Sequence, residues 1–235
     1  MSTRRDELAS GLAGVHERIE AACAAAGRDP AELTLVVVTK TYPASDLREL
    51  GALGVRDLGE SREQELAAKR AELAQEPAVR EVRWHFIGRL QSNKARAVGE
   101  LADLVHSVDR PGVLAPLGRG AHLAGRSVGV LLQVSLDGDP GRGGALPKDV
   151  PALADAVAAT DGLVLRGVMA VAPQDVDPLT AFGVLPGLLA RLRADHVHAD
   201  VISAGMSGDL EAAVTVGATH LRVGTAVLGA RSLLG

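Results

Sequence analysis

The chain has 235 residues, with 25 basic and 29 acidic side chains for a formal net charge of −4. Its hydrophobic fraction of 47% is enough to bury one sizeable core, and there is no basic tail or stripe of the kind a nucleic-acid binder needs. Aromatic residues are only 2%, so Val, Leu, Ile and Ala must fill that core, as they do in α/β barrels. No window approaches the length of uncharged apolar residues that crosses a bilayer, so no membrane contact is expected. The first residues, Met1 to Glu7, hold no apolar segment, and a cytoplasmic location is the expectation. Cys23 is the single cysteine; it cannot form an internal disulfide and falls on the apolar side of a helix, where a buried thiol is expected.

Residues 4–26 are expected to form a leading helix. Leu8, Leu12, Val15, Ile19, Ala22 and Ala26 recur at steps of three and four, and Gly27 and then Pro30 end the pattern. From Leu33 the chain alternates. Short β-branched runs occur at 33–39, 55–58, 82–87, 104–108, 128–134, 163–171, 201–203 and 220–223. They are too short for helices and suit strands buried on both faces. Helical spacing fills the gaps, clearest in Phe182, Leu185, Leu188, Leu189 and Leu192 and in Leu210, Ala213 and Val214. Strand–helix alternation implies a parallel sheet. Eight units in about 200 residues favour a single (β/α)₈ barrel over an open doubly wound sheet. The expected domain covers residues 1–235, with 1–27 packed on the barrel as an extra helix. The Gly-rich stretch 137–144 reads as a loop after the fifth strand.

Function on such a barrel sits at the C-terminal ends of the strands. The chain has four lysines against 21 arginines. Lys40 ends the first strand, and a lysine at a dry barrel mouth would be desolvated and available to attack a carbonyl. Lys94, just past the third strand, is the alternative. Lys69 reads as part of a solvated helix face, and Lys148 as a loop residue. After the seventh strand comes Ser203-Ala204-Gly205-Met206-Ser207-Gly208-Asp209, with Ser207 as a candidate N-cap. After the eighth comes Arg222-Val223-Gly224-Thr225-Ala226, with Arg222 and Gly224 on one side of the strand. Loops at these two places commonly build a barrel's phosphate site. His85, in the third strand, either lines the mouth, donates to a ligand oxygen or is a satisfied core histidine. His196 and His198 lack a third ligand at metal spacing, so no metal site is expected.

Seven stretches taken together resemble the YggS/PROSC family of pyridoxal phosphate homeostasis proteins, which is itself similar to the N-terminal barrel of alanine racemase. They are Val38–Thr41, Asp57–Glu65, Trp84–Lys94, His106–Asp109, Arg166–Ala170, Gly205–Ala213 and Arg222–Ala226. The resemblance implies that Lys40 holds pyridoxal 5′-phosphate (PLP) as a Schiff base. It implies a phosphate cradle at Ser207 with the N–H groups of Gly224 and Thr225, Met206 alongside, and Ser61 and His85 as further cofactor contacts. Arg222 would face the pyridine nitrogen as a permanent donor, making the cofactor a poorer electron sink than one paired with Asp.

Alanine racemase sets a tyrosine on the opposite face of the cofactor, from a second domain. The only tyrosine here, Tyr42, lies two residues after Lys40, so no second base is evident. The resemblance therefore implies a PLP carrier and buffer that serves apo PLP-dependent enzymes, a monomer or weak dimer, and not an enzyme. An amino-acid racemase is the alternative. Three positions depart from the family pattern: Ser61 stands where asparagine is usual, Tyr42 where a second lysine is usual, and the loop Gly141–Gly144 replaces one containing lysine.

Overall fold

The computed structural model describes residues 2–229; Met1 and residues 230–235, which the expected domain includes, lie outside the described residues. Eight strands form a closed, all-parallel barrel in sequence order: β1 (Thr34–Val38), β2 (Asp57–Glu60), β3 (Arg83–Phe86), β4 (Leu104–Val108), β5 (Val128–Gln133), β6 (Leu163–Met169), β7 (Val201–Ser203) and β8 (His220–Val223). Val37 pairs with Leu58 on one side and Val223 on the other, which closes the ring. The expected (β/α)₈ architecture is therefore present, with all eight runs as strands. The run at 55–58 starts two residues early, since β2 begins at Asp57 and ends at Glu60.

The helices around the barrel are α1 (Arg4–Ala26), α2 (Ala44–Ala52), α3 (Glu63–Glu72), α4 (Ala95–Leu101), α5 (Leu114–Leu123), α6 (Val150–Ala158), α7 (Pro178–Phe182), α8 (Leu185–Asp195), α9 (Leu210–Thr215) and α10 (Thr225–Leu228). The helical spacing from Phe182 to Leu192 is divided in the structure: Phe182 ends α7, and α8 starts at Leu185, with Pro186 in its first turn. Helix α1 is the predicted leading helix. A Thr3–Asp6 capping box starts it, and Gly27 ends it in the left-handed conformation at φ 66°. It packs against α2, α9 and α10. None of the described helices is long and apolar enough to cross a membrane.

The core has two compartments. The larger lies between strands and helices, runs from Leu8 to Leu228, and includes Cys23. Side chains on the opposite face of the strands line the barrel interior. There the apolar cluster is small: Leu131, Met169 and Val201, with Leu104 and Val171 against them. Val36 and Val38 add apolar groups around Gly59, but Asp57, His85, His106, Ser203 and Arg222 share the interior with them, so the filling is less aliphatic than expected.

Backbone packing at the mouth is close. A Cβ at Gly88, just after β3, would stand 2.0 Å from the carbonyl oxygen of Ser61. Backbone cannot yield there as a flexible side chain would, so Gly88→Ala is expected to destabilise the fold by about 2–3 kcal/mol. Thermal unfolding should show a midpoint about 5–10 °C lower. An unchanged midpoint would mean that the β2 and β3 loops slide freely past each other.

Candidate functional site

The loops after β1, β2, β7 and β8, with Arg222 in β8 itself, carry the residues expected at the mouth, His85 excepted. Lys40 follows β1, and the register of β1 with β8 brings Gly224 against Val38, two residues before it: a Cβ at Gly224 would lie 3.2 Å from the Val38 carbonyl oxygen. Lys40 is exposed rather than buried. The expected desolvation at a dry mouth is thus absent from the protein alone, because Lys40 and Thr41 stand on a turn above the strand end. Among the described residues no carboxylate pairs with Lys40. The other lysines differ. Lys94 pairs with Glu63 at 3.3 Å. Lys148 lies in a loop.

Lys69 was expected on a solvated face and is instead buried. Its Nζ donates to Glu60 Oε1 (2.6 Å) and to the Thr39 carbonyl (2.8 Å). The reason is its place on α3, three residues after Leu66 and four before Leu73, both buried. Burial raises the Glu60 pKa, and hydrogen bonds from Lys69 and Thr39 pull it back only in part.

Ser207 and Thr225 meet across the mouth. Thr225 Oγ1 donates to Ser207 Oγ at 3.2 Å, and the Ala226 N–H points to the same oxygen at 3.4 Å. Ser207 is not the N-cap expected of it. That position belongs to Asp209, whose Oδ1 accepts the Met206 N–H at 2.5 Å and shapes the loop. Thr225 opens α10, so its N–H has no intrahelical partner. The two loops predicted to form a phosphate site are thus in contact, with Met206 exposed beside them. Ser61, just after β2, is half-buried in a cleft of about 220 Å³ with Gln64 and Arg89.

Behind this cradle Arg222 is buried. Its Nη1 donates to Ser203 Oγ (2.6 Å) and its Nη2 to the Ala170 carbonyl (2.9 Å). Among the described residues Nε has no protein acceptor. Burial lowers the Arg222 pKa to about 10, with Asp209 opposing, so the group remains a cation at neutral pH.

From Arg222 a line of hydrogen bonds crosses the barrel interior. Ser203 Oγ lies 2.9 Å from His106 Nδ1; His106 Nε2 lies 2.9 Å from His85 Nδ1; His85 Nε2 lies 2.8 Å from Asp57 Oδ1. Arginine only donates and a carboxylate only accepts. With Ser203 donating to His106 Nδ1, every bond then runs one way: Arg222 to Ser203, Ser203 to His106, His106 to His85, His85 to Asp57. Burial pushes the His106 pKa well down. For Asp57, burial opposes ionisation, but hydrogen bonds from His85 and Arg83 outweigh it and lower the pKa. His85, expected among the cofactor contacts, has neither ring nitrogen left for a ligand. It sits within the barrel and borders a cavity of about 330 Å³ shared with His220, Arg83 and Arg166, which come from the strands' N-terminal halves. His106 was not singled out from the sequence.

His220 supplies a pH test. Burial brings its pKa down to about 4; nearby His85, Arg83 and Arg166 add to the effect, and Asp57 opposes it. An unfolded chain binds the proton near pH 6.5, about 2.5 units earlier. Stability is therefore intact above that value and falls as the pH drops towards 4, where only the unfolded state is fully protonated. The loss from His220 alone should reach about 3 kcal/mol between about pH 7 and pH 4. Urea unfolding at the two pH values should show His220→Gln losing less stability than wild type by that margin. Equal losses would mean that His220 is hydrated when folded.

With this geometry in view, the family can be assigned. The family model described as the alanine racemase N-terminal domain matches residues 12–232. A protein of Mycobacterium tuberculosis named pyridoxal phosphate homeostasis protein is 44% identical over 98% of this chain and 95% of its own. The chain belongs to the pyridoxal phosphate homeostasis protein family. A Pseudomonas aeruginosa protein of the same name is 42% identical over 95% of this chain and 96% of its own. The structure of PipY from Synechococcus elongatus with PLP bound superposes with a TM-score of 0.81 at 35% identity, covering 94% of this chain and all of that one. Within this family member, Tyr42 is committed to structure: its hydroxyl donates to the Gly229 carbonyl at 2.7 Å. Among the described residues no His/Cys/Asp/Glu group could hold a metal ion.

Proposed function

We propose that the chain binds PLP at the barrel mouth, with the Lys40 amine as its covalent anchor, and holds it reversibly for buffering or delivery. The observation that carries this reading is the exposed, unpaired Lys40 beside the Ser207–Thr225 contact. An amine free of carboxylate partners follows β1, whose neighbour β8 carries Thr225 of that contact, and loops after the last two strands commonly receive a phosphate. The donor set suits the group: an amine for its aldehyde, hydroxyl and N–H groups for its phosphate, and Arg222 Nε for its ring nitrogen. PLP would supply an aldehyde that condenses with the lysine amine, releasing water, and that water restores on release.

The protein's own part is to hold each donor in place. Arg222 is fixed by Ser203 and the Ala170 carbonyl, and as a donor it does not protonate the ring nitrogen. Turnover of an amino acid would need a second acid–base group across from Lys40. Tyr42 is tied to Gly229, which supports holding over racemisation.

The test is to add PLP to the purified protein, reduce with borohydride and map the modified peptide by mass spectrometry. Label confined to Lys40 is expected. Label spread evenly over Lys94 and Lys148, or none, would refute the anchor. Rapid racemisation of an added amino acid would refute the holding role.

A further inference from the structure

We propose that Lys69 is a positioning residue for Lys40, acting on the backbone on both sides of it; this rests on the reading of Lys40 as the PLP anchor. On the N-terminal side, Lys69 Nζ donates to the Thr39 carbonyl at 2.8 Å, and Thr39 Oγ1 donates to Glu60 Oε1 at 2.7 Å. Glu60 is in turn held by Lys69 at 2.6 Å. On the C-terminal side, the Thr41 N–H donates to Glu65 Oε2 at 2.7 Å, and that same oxygen lies 3.7 Å from Lys69 Nζ. One buried ammonium on α3 thus links the two carboxylates that grip residues 39 and 41.

The grip is needed because the turn is strained. Thr41 has φ +69°, and it is the single non-glycine residue at positive φ among the described residues. A β-branched residue adopts that conformation only when its surroundings enforce it, and the strain is equivalent to roughly tenfold in an equilibrium. Glu65 enforces it by accepting the Thr41 N–H, and Lys69 keeps Glu65 and Glu60 from repelling each other across the α3–β2 junction. Glu60 Oε2 is buried without a partner, so Lys69 is its nearest compensating charge. Remove Lys69, and the turn has lost what keeps Thr41 left-handed and the Lys40 backbone fixed between residues 39 and 41.

Two measurements on four variants test this. Amide hydrogen exchange, read by NMR on PLP-free protein, reports the Thr41 N–H. Titration with PLP followed by absorbance, with borohydride mapping of wild type alongside, reports capture. Lys69→Met and Glu65→Ala are expected to exchange the Thr41 amide about tenfold faster, with β5 amides unchanged, and to weaken PLP capture about tenfold. Adding Thr41→Gly to either variant should recover capture to within about threefold, because glycine takes a positive φ unaided. A general loss of stability would not be recovered this way.

Unchanged capture in Lys69→Met and Glu65→Ala would overturn the proposal. A loss that Thr41→Gly does not recover would overturn it too, by showing that Lys69 acts through overall stability. Glu65 is partly exposed, so Glu65→Ala and its Thr41→Gly partner decide the matter even if Lys69→Met fails to fold. Wild type labelled elsewhere than Lys40 would show instead that the anchor reading is wrong, and this inference with it.

Discussion

Lys40→Ala protein treated with PLP and borohydride is expected to carry no label at the site. Four lysine amines could meet the aldehyde. Lys69 is buried against Glu60 and lies below the Thr39 carbonyl, out of reach of an incoming aldehyde. Lys94 is engaged with Glu63, and Lys148 sits in the loop ahead of α6. Neither is part of the Ser207–Thr225 cradle. The substitution should leave the fold unharmed, since an exposed side chain without an ion pair usually changes stability by no more than about 0.5 kcal/mol. The thermal midpoint should stay within about 2 °C of wild type. Phosphate and ring contacts remain, so weakened, non-covalent PLP binding should persist in equilibrium dialysis. A Lys40→Ala protein that still fixes PLP at one stoichiometric position would return the anchor to Lys94.

How far the sequence alone leads follows from where each signal resides. Parallel strands buried on both faces appear as unbroken β-branched runs, so the eight strands and the barrel were legible from Leu33 onward. The two mouth loops were legible because glycine, serine and arginine recur after the last two strands. Lys69 departs from the solvated face expected of it, although a signal exists: it shares the Leu66–Leu73 face of α3, and Glu60 waits at the end of β2 to receive it. Its neighbours Arg70 and Glu72 suggested solvent. Ser207 yields the N-cap to Asp209 because serine and aspartate both cap helices well, and only the loop's path decides between them. Nothing local marks the polar line inside the barrel. His85, His106, Ser203 and Arg222 come from four strands, and although His85 and Arg222 stand out as candidate contacts, nothing in either run pairs it with the others. Closure of the ring brings them together.

That line should contribute heavily to stability. His106 is fully buried and bonded at both ring nitrogens. Its removal leaves the Ser203 hydroxyl without an acceptor and His85 Nδ1 without a donor, and each orphaned group costs about 1–3 kcal/mol. The cavity adds a further penalty. His106→Ala is therefore expected to lose about 4 kcal/mol, seen in urea unfolding, with a midpoint about 8–16 °C lower on heating. Two further variants separate bonding from volume. His106→Phe refills the space but bonds to nothing. His106→Gln presents an amide N–H towards His85 and a carbonyl oxygen towards Ser203, in the one direction the line allows. Gln should outlast Phe by about 1–2 kcal/mol. If Phe matches or exceeds Gln, the one-way arrangement from Arg222 to Asp57 contributes nothing beyond filling the barrel. If Gln recovers stability as expected, the same variant should also keep Arg222 on Ser203 and hold PLP more tightly than Phe does.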